Sequence, residues 1–303
     1  MEPWNGDGMP DDDDAVYRLL SDVPTTDPVL LIALDGWVDA GLGASAAMAT
    51  VIETVDVEPV AIFDGDLFID QRARRPVVRI VNGVNRGLTW PEITVSAGRD
   101  RNGRDVLVLT GPEPDFHWRT FVAGVVEFCL THDVHTVIGL GAFPAPAPHT
   151  RPVKLAATAP EESEELVERV GIVAGELEVP AGVTSALELA MGDAGIPMVT
   201  LWARVPHYVA AMAFPDASVS LLDGVGRVSG LRFDDLDLRQ AADASRRQVD
   251  DLIQSNPDHV AMVRTLEASV DETEGSPFGL EDLPSGDELA AELEQFLRGE
   301  SGE

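Results

Sequence analysis

Side chains able to do chemistry gather just behind short apolar runs. Asp35, Trp37 and Asp39 follow residues 29–34, and Asp64 and Asp66 follow residues 60–63. Glu113, Asp115, His117 and Trp118 come after residues 106–109; His149 and Arg151 come after 136–140; His207 and Tyr208 come after 198–205. Histidine titrates near neutrality, so His149 or His207 could act as a general acid or base. Glu113 or Asp115 could orient a substrate such as a nucleoside, and Arg151 could bind an anion. Arg72, Arg74 and Arg75 could grip a phosphate bidentately, although salt bridging is their expected use in so acidic a chain. Ligands of open α/β sheets bind beyond the carboxyl ends of the strands, which would gather these groups along one edge as a pocket or an interaction face. The competing reading has the carboxylates capping helices and the prolines shaping turns.

Other chemistries fit poorly. Gly41-Leu42-Gly43-Ala44-Ser45-Ala46 matches the loose dinucleotide pattern, with Asp64 where a ribose-binding acid would stand. Residues 35–40 nevertheless separate the strand from Gly41, whereas that motif needs its first glycine directly after the strand. Close helix–sheet packing is the better reading, and no cofactor is expected. His132 and His135 lack a cysteine pair or an HExxH run, so no metal site is expected. There is no G-x-S-x-G elbow, and Cys129 lies on an apolar helix stripe where a thiol is normally inert. The absence of a complete catalytic set leans the reading away from an enzyme.

The elements that must position these residues alternate strand and helix. Residues 29–34 read as a strand buried on both faces, followed by a small-residue helix over 40–54 with Asp39 as N-cap. Strands are expected at 60–63, 77–81, 93–95, 106–109, 136–140 and 198–205, with Asn102-Gly103 as a type I′ hairpin turn between 95 and 106. A helix over 118–130 shows an apolar stripe at Phe121, Val122, Val125, Val126 and Cys129. Ser185 and Glu188 suggest a capping box for a helix ending at Gly195. Beyond residue 230 only helices are expected: one with Leu238, Ala241, Ala242, Ser245, Val249 and Leu252 as its stripe, and one with Val260, Val263, Leu266 and Val270. A linker over 275–286 leads to a third helix with Leu289, Leu293 and Phe296. The pattern gives an acidic mobile arm over 1–27, an α/β core over 28–232 and a helical C-terminal extension over 233–303.

Composition narrows the function. The 303 residues carry a formal charge of −32, and Lys154 is the one lysine. Such a chain is ill suited to a phosphate backbone, so nucleic acid is not an expected partner. No apolar run approaches a membrane span, and the acidic start does not resemble a secretory signal. One cysteine fits a reducing compartment. A soluble cytoplasmic protein is expected.

Five segments together resemble the PAC2 family, the proteasome assembly chaperone 2-like proteins. They are Asp35-Gly36-Trp37-Val38-Asp39-Ala40-Gly41, Asp70-Gln71-Arg72-Ala73-Arg74-Arg75-Pro76, Gly111-Pro112-Glu113-Pro114-Asp115, Pro148-His149-Thr150-Arg151-Pro152 and Val205-Pro206-His207-Tyr208-Val209. The resemblance runs from about Val29 to Leu222, and the helical tail is similar to the extension of the bacterial branch. It implies a three-layer α/β/α, phosphorylase/hydrolase-like core with a mixed sheet, a homotrimer, and a link to proteasome subunits as partners. The chain ends Arg298-Gly299-Glu300-Ser301-Gly302-Glu303, unlike the hydrophobic-Tyr-X tail of the assembly chaperones.

Overall fold

The computed structural model describes residues 15–23, 26–171 and 176–273. Its strands are β1 (Tyr17–Leu19), β2 (Val29–Asp35), β3 (Glu58–Phe63), β4 (Val77–Val81), β5 (Val84–Thr89), β6 (Thr94–Arg99), β7 (Asp105–Pro112), β8 (Thr136–Ala145), β9 (Leu155–Thr158) and β10 (Met198–Pro206). The helices are α1 (Gly43–Val55), α2 (Gly65–Phe68), α3 (Trp118–Thr131), α4 (Glu164–Glu168), α5 (Val183–Asp193), α6 (Pro215–Ser229), α7 (Leu236–Gln254) and α8 (Pro257–Thr273). Eight strands form one sheet in the order β1-β3-β6-β7-β2-β8-β10-β9. Its centre, β7-β2-β8-β10, is parallel, and antiparallel pairs close both edges. No described helix is long and apolar enough to cross a membrane.

Strand β2 is apolar along its length because both of its faces are covered. Leu31 packs with Ala44, Ala47, Met48 and Val51 of α1 and with Leu221 and Val225 of α6. Leu30 and Ile32 point the other way, against Phe121, Val125, Phe128 and Cys129 of α3 and Leu187 and Met191 of α5. The three-layer α/β/α core with a mixed sheet is therefore present. The glycines of the dinucleotide-like motif serve packing: a Cβ on Gly43 would stand 2.9 Å from Ala142 Cβ, and one on Gly41 2.8 Å from Phe214 Cβ.

Several local expectations change. The sheet begins earlier than residue 28, since β1 pairs with β3 inside the expected arm. Residues 77–81 do form a strand, but it pairs with β5 in a separate two-stranded sheet. There the turn is Asn82-Gly83, with φ of 52° and 77°. At Asn102-Gly103 only Gly103 takes a positive φ, and Asp100 closes the loop by accepting from the Asn102 and Arg104 amides. That connection is longer than a two-residue I′ turn, since Arg99 pairs with Asp105 and residues 100–104 lie between; Asp100 also accepts from the Arg232 amide. Ser185 lies inside α5, whose N-cap is Gly182, and Glu188 turns inward to accept from Thr158 (2.7 Å), so there is no capping box. On α7, Ala242, Val249 and Ile253 face the core while Ala241 and Leu252 are exposed. The expected linker at 275–286 and the helix bearing Leu289 lie outside the described residues.

Candidate functional site

The parallel strands β7, β2, β8 and β10 all end on one edge, and the loops leaving them bring most of the singled-out residues there, as two clusters. After β2 the chain turns at Gly36 and passes Trp37 and Val38. Asp39, flanking a 3-10 turn at Ala40–Leu42, accepts from the Ala44 and Ser45 amides at 2.7 and 3.0 Å and from the Ser45 hydroxyl. It therefore anchors the start of α1, as a capping carboxylate does, from outside the formal N-cap position, which Leu42 occupies.

The loop after β7 is equally committed. The Glu113 amide donates to the Asp35 carbonyl, and its side-chain Oε1 accepts from the Val183 amide at the first turn of α5. Asp115 accepts from the Asp70 amide at 2.9 Å and from Arg74 Nε at 3.1 Å, while Arg74 Nη2 also reaches the Glu113 carbonyl. Arg74 is thus the arginine of its cluster that the fold uses; Arg72 and Arg75 are exposed, with no ion pair among the described residues. Asp35, Trp37 and Asp66 are exposed too, and Trp37 lies against Gly182.

The second cluster holds His149, Arg151 and Tyr208, and its partners come from the tail. The His149 side chain is 1% exposed. Its amide donates to the Tyr208 hydroxyl at 2.8 Å, its Nδ1 stands 2.7 Å from that hydroxyl, and its Nε2 stands 3.0 Å from Asp250 Oδ1 on α7. One proton arrangement satisfies every group: the hydroxyl donates to Nδ1, and Nε2–H donates to the carboxylate. Burial pushes the Tyr208 phenol up to about 12, so it is a fixed donor. Arg151 forks onto Asp271 of α8 at 2.9 and 2.7 Å and reaches Glu267 one turn earlier at 3.2 Å. Thr150 also donates to Glu267. The hydrogen bond from Arg151 holds the Asp271 carboxyl below the usual carboxylate range. His207 contacts Tyr208 edge-on and makes no hydrogen bond through its side chain among the described residues.

His149, Arg151 and Tyr208 therefore clasp the helical extension to the core. Sequence reasoning missed Asp250, Glu267 and Asp271, though a signal existed. Each follows directly on an apolar residue of its helix stripe, Val249, Leu266 and Val270, and so sits at the border of the core-facing side. A cavity of about 710 Å³ lies away from all of these residues, between α6 and the start of α7, lined by Arg227, Arg232, Phe233 and Arg239 among others. Burial pushes the Cys129 thiol up to about 12, which keeps it protonated. Among the described residues no group of three or more His, Cys, Asp or Glu could hold a metal ion.

A mixed sheet covered by helices on both faces, with its strand-end polar groups committed to caps and clasps, defines a class of α/β proteins built around a shaped edge. The PAC2 family pattern matches residues 33–253, and the chain belongs to the PAC2 family. It is similar in structure to a proteasome-assembly chaperone homologue of Mycobacterium tuberculosis, Rv2125, at 35% identity and a TM-score of 0.71, covering 78% of this chain and 99% of that one. A PAC2 family protein from Streptomyces avermitilis matches at 30% identity and 0.69, covering 78% and 100%. A Corynebacterium glutamicum protein of unknown function matches at 28% identity and 0.79, covering 86% and 98%. The Pyrococcus furiosus proteasome activator PbaB, at 17% identity and 0.59, shares the fold. No curated protein matches the sequence.

Proposed function

We propose that this PAC2 protein is a homo-oligomeric, non-catalytic protein-binding factor that assists proteasome assembly in the cytoplasm, as a trimer. The observation that carries this reading is the 35% identity to the proteasome-assembly chaperone homologue across 99% of that protein. The fate of the strand-end groups supports it. Asp39 and Glu113 serve helix starts, Asp115 holds Arg74, and His149 is enclosed between Tyr208 and Asp250. Each of these groups already has hydrogen-bond partners within the protein. What the edge offers to a partner is exposed Asp35, Trp37, Val38, Leu42 and Phe116. Core and extension act as one unit, because three residues of one loop hold two tail helices.

The test is native mass spectrometry of the purified protein, alone and mixed with unassembled proteasome α and β subunits. The expected result is an oligomer that captures α subunits and leaves as mature particles form. A protein that binds no subunit, or that turns over members of a nucleoside and metabolite panel, overturns the proposal.

A further inference from the structure

The cavity of about 710 Å³ between α6 and the start of α7 is a basic site in an acidic protein. Its walls carry Arg227, Arg232 and Arg239 against two carboxylates, Asp223 and Asp235, in a chain of net charge −32. Both carboxylates are spent on one guanidinium: Arg239 Nη2 stands 2.6 Å from Asp223 Oδ1 and 2.7 Å from Asp235 Oδ2. That leaves Arg227 and Arg232 with no ion pair among the described residues. Arg232 is held in place all the same. Its Nη1 donates to the Leu231 carbonyl at 3.1 Å, and its amide donates to the buried Asp100 carboxylate at 2.9 Å. The guanidinium lies over Gly226 of α6, where a Cβ would stand 2.5 Å from Nη1, so the glycine makes room for it.

Two further features suit an anion that carries a ring. Helix α7 begins at the cavity, and its N-cap, Asp235, makes no side-chain bond to the first-turn amides, its carboxylate facing Arg239 instead. The positive end of a 19-residue helix is therefore not neutralised by its own cap. Phe233, half-buried against the core, sets an apolar ring beside Arg232 in the same wall. The volume lies within the roughly 300–1,000 Å³ typical of small-molecule sites. We infer that this cavity binds a small organic phosphate, a phosphate monoester carried on a flat ring, with Arg227 and Arg232 on the phosphate oxygens and Phe233 against the ring. The planar fork of a guanidinium matches phosphate oxygens two at a time, and burial of the ring adds apolar contact that inorganic phosphate lacks. The ligand touches α6 of the core and the start of the extension together, so its binding fastens one to the other. This adds a ligand to the protein-binding reading above and does not depend on it.

The test is isothermal titration calorimetry on the full chain with three probes: inorganic phosphate, phenyl phosphate and adenosine 5′-monophosphate. At least one of the organic phosphates is expected to bind about tenfold or more tighter than inorganic phosphate. Arg227→Gln/Arg232→Gln should weaken that binding at least about 100-fold. Both side chains are exposed, so thermal unfolding without ligand should be unchanged, which confirms that the variant folds. Arg79→Gln/Arg86→Gln, which removes two exposed arginines outside the cavity, should bind as wild type does. Saturation with the tighter probe should slow amide exchange over 231–239. Tighter binding of adenosine 5′-monophosphate than of phenyl phosphate would support the site and place its ligand among the nucleotides. Binding that is undiminished in Arg227→Gln/Arg232→Gln, or lost equally in Arg79→Gln/Arg86→Gln, overturns the site. So does a wild type that binds neither organic phosphate below about 1 mM. Inorganic phosphate binding as tightly as both organic probes overturns the part given to Phe233.

Discussion

Replacing Tyr208 by phenylalanine tests the clasp with a single atom. The hydroxyl serves His149 twice, accepting from its amide at 2.8 Å and meeting Nδ1 at 2.7 Å, beneath a side chain only 1% exposed. Phenylalanine keeps the ring and its packing, so the cost is that of two buried polar groups left without partners. At about 1–3 kcal/mol for each unsatisfied group, and with the ring free to tilt, the loss should be about 3 kcal/mol. For a chain of this length that lowers Tm by roughly 5 °C. Asp250→Asn is the contrast. The Asp250 side chain is 43% exposed, so water can replace the lost interaction with Nε2, and the cost should be about 1 kcal/mol or less. The assays are thermal unfolding and amide hydrogen exchange, the second because the clasp joins α7 to the loop after β8. Tyr208→Phe should speed exchange in α7 and α8 before it reaches the central strands. If Tyr208→Phe melts within about 2 °C of wild type with unchanged exchange, or if Asp250→Asn costs more, the geometry has been misread.

Acidification should loosen the same clasp. The folded pKa of Asp271 lies below its unfolded value, so its contribution is complete above the usual carboxylate range and is lost as pH falls through it. Exchange in α8 should quicken on that descent, and Asp271→Asn should abolish the dependence. Glu188 behaves in the opposite sense: burial raises its pKa, so its stability contribution is full below the unfolded value and declines as pH rises through the folded one. Glu188→Gln should therefore melt above wild type at neutral pH, with the difference closing toward pH 4, and a difference independent of pH would refute the assignment. Gly111, at φ 126°, leaves no room for a side chain, because a Cβ would meet the Glu92 carbonyl oxygen at 2.2 Å. Gly111→Ala should cost about 3 kcal/mol or more, read by urea unfolding, since both the backbone strain and the clash with main chain must be relieved.

Much of the framework is legible in the sequence because it depends on short-range periodicity. The apolar runs at 29–34, 106–109 and 136–140 read as strands covered on both faces, and the stripe at Phe121, Val125 and Cys129 as a helix lying on a sheet. Asp39 is recognisable as a residue that serves a helix start because the bonds it makes lie five and six residues away. The hairpin turn at Asn82-Gly83 is just as local, yet it stands in a stretch that reads as an ordinary strand. Periodicity reports which residues are apolar, without reporting that none of the described residues covers them.

The amino-acid sequence alone determined the alternation of strands and helices, the family, and the loops whose polar residues share an edge. Only the tertiary structure decided what those polar residues do. Asp250, Glu267 and Asp271 lie 101, 117 and 120 residues beyond His149, Thr150 and Arg151 respectively. Pairings at such separations depend on how α7 and α8 fold back over the core, a path fixed by summed packing rather than by any local pattern. The chemistry of His149 was therefore visible from the start, while its partners were set by the burial of Val249 and Val263 far along the chain.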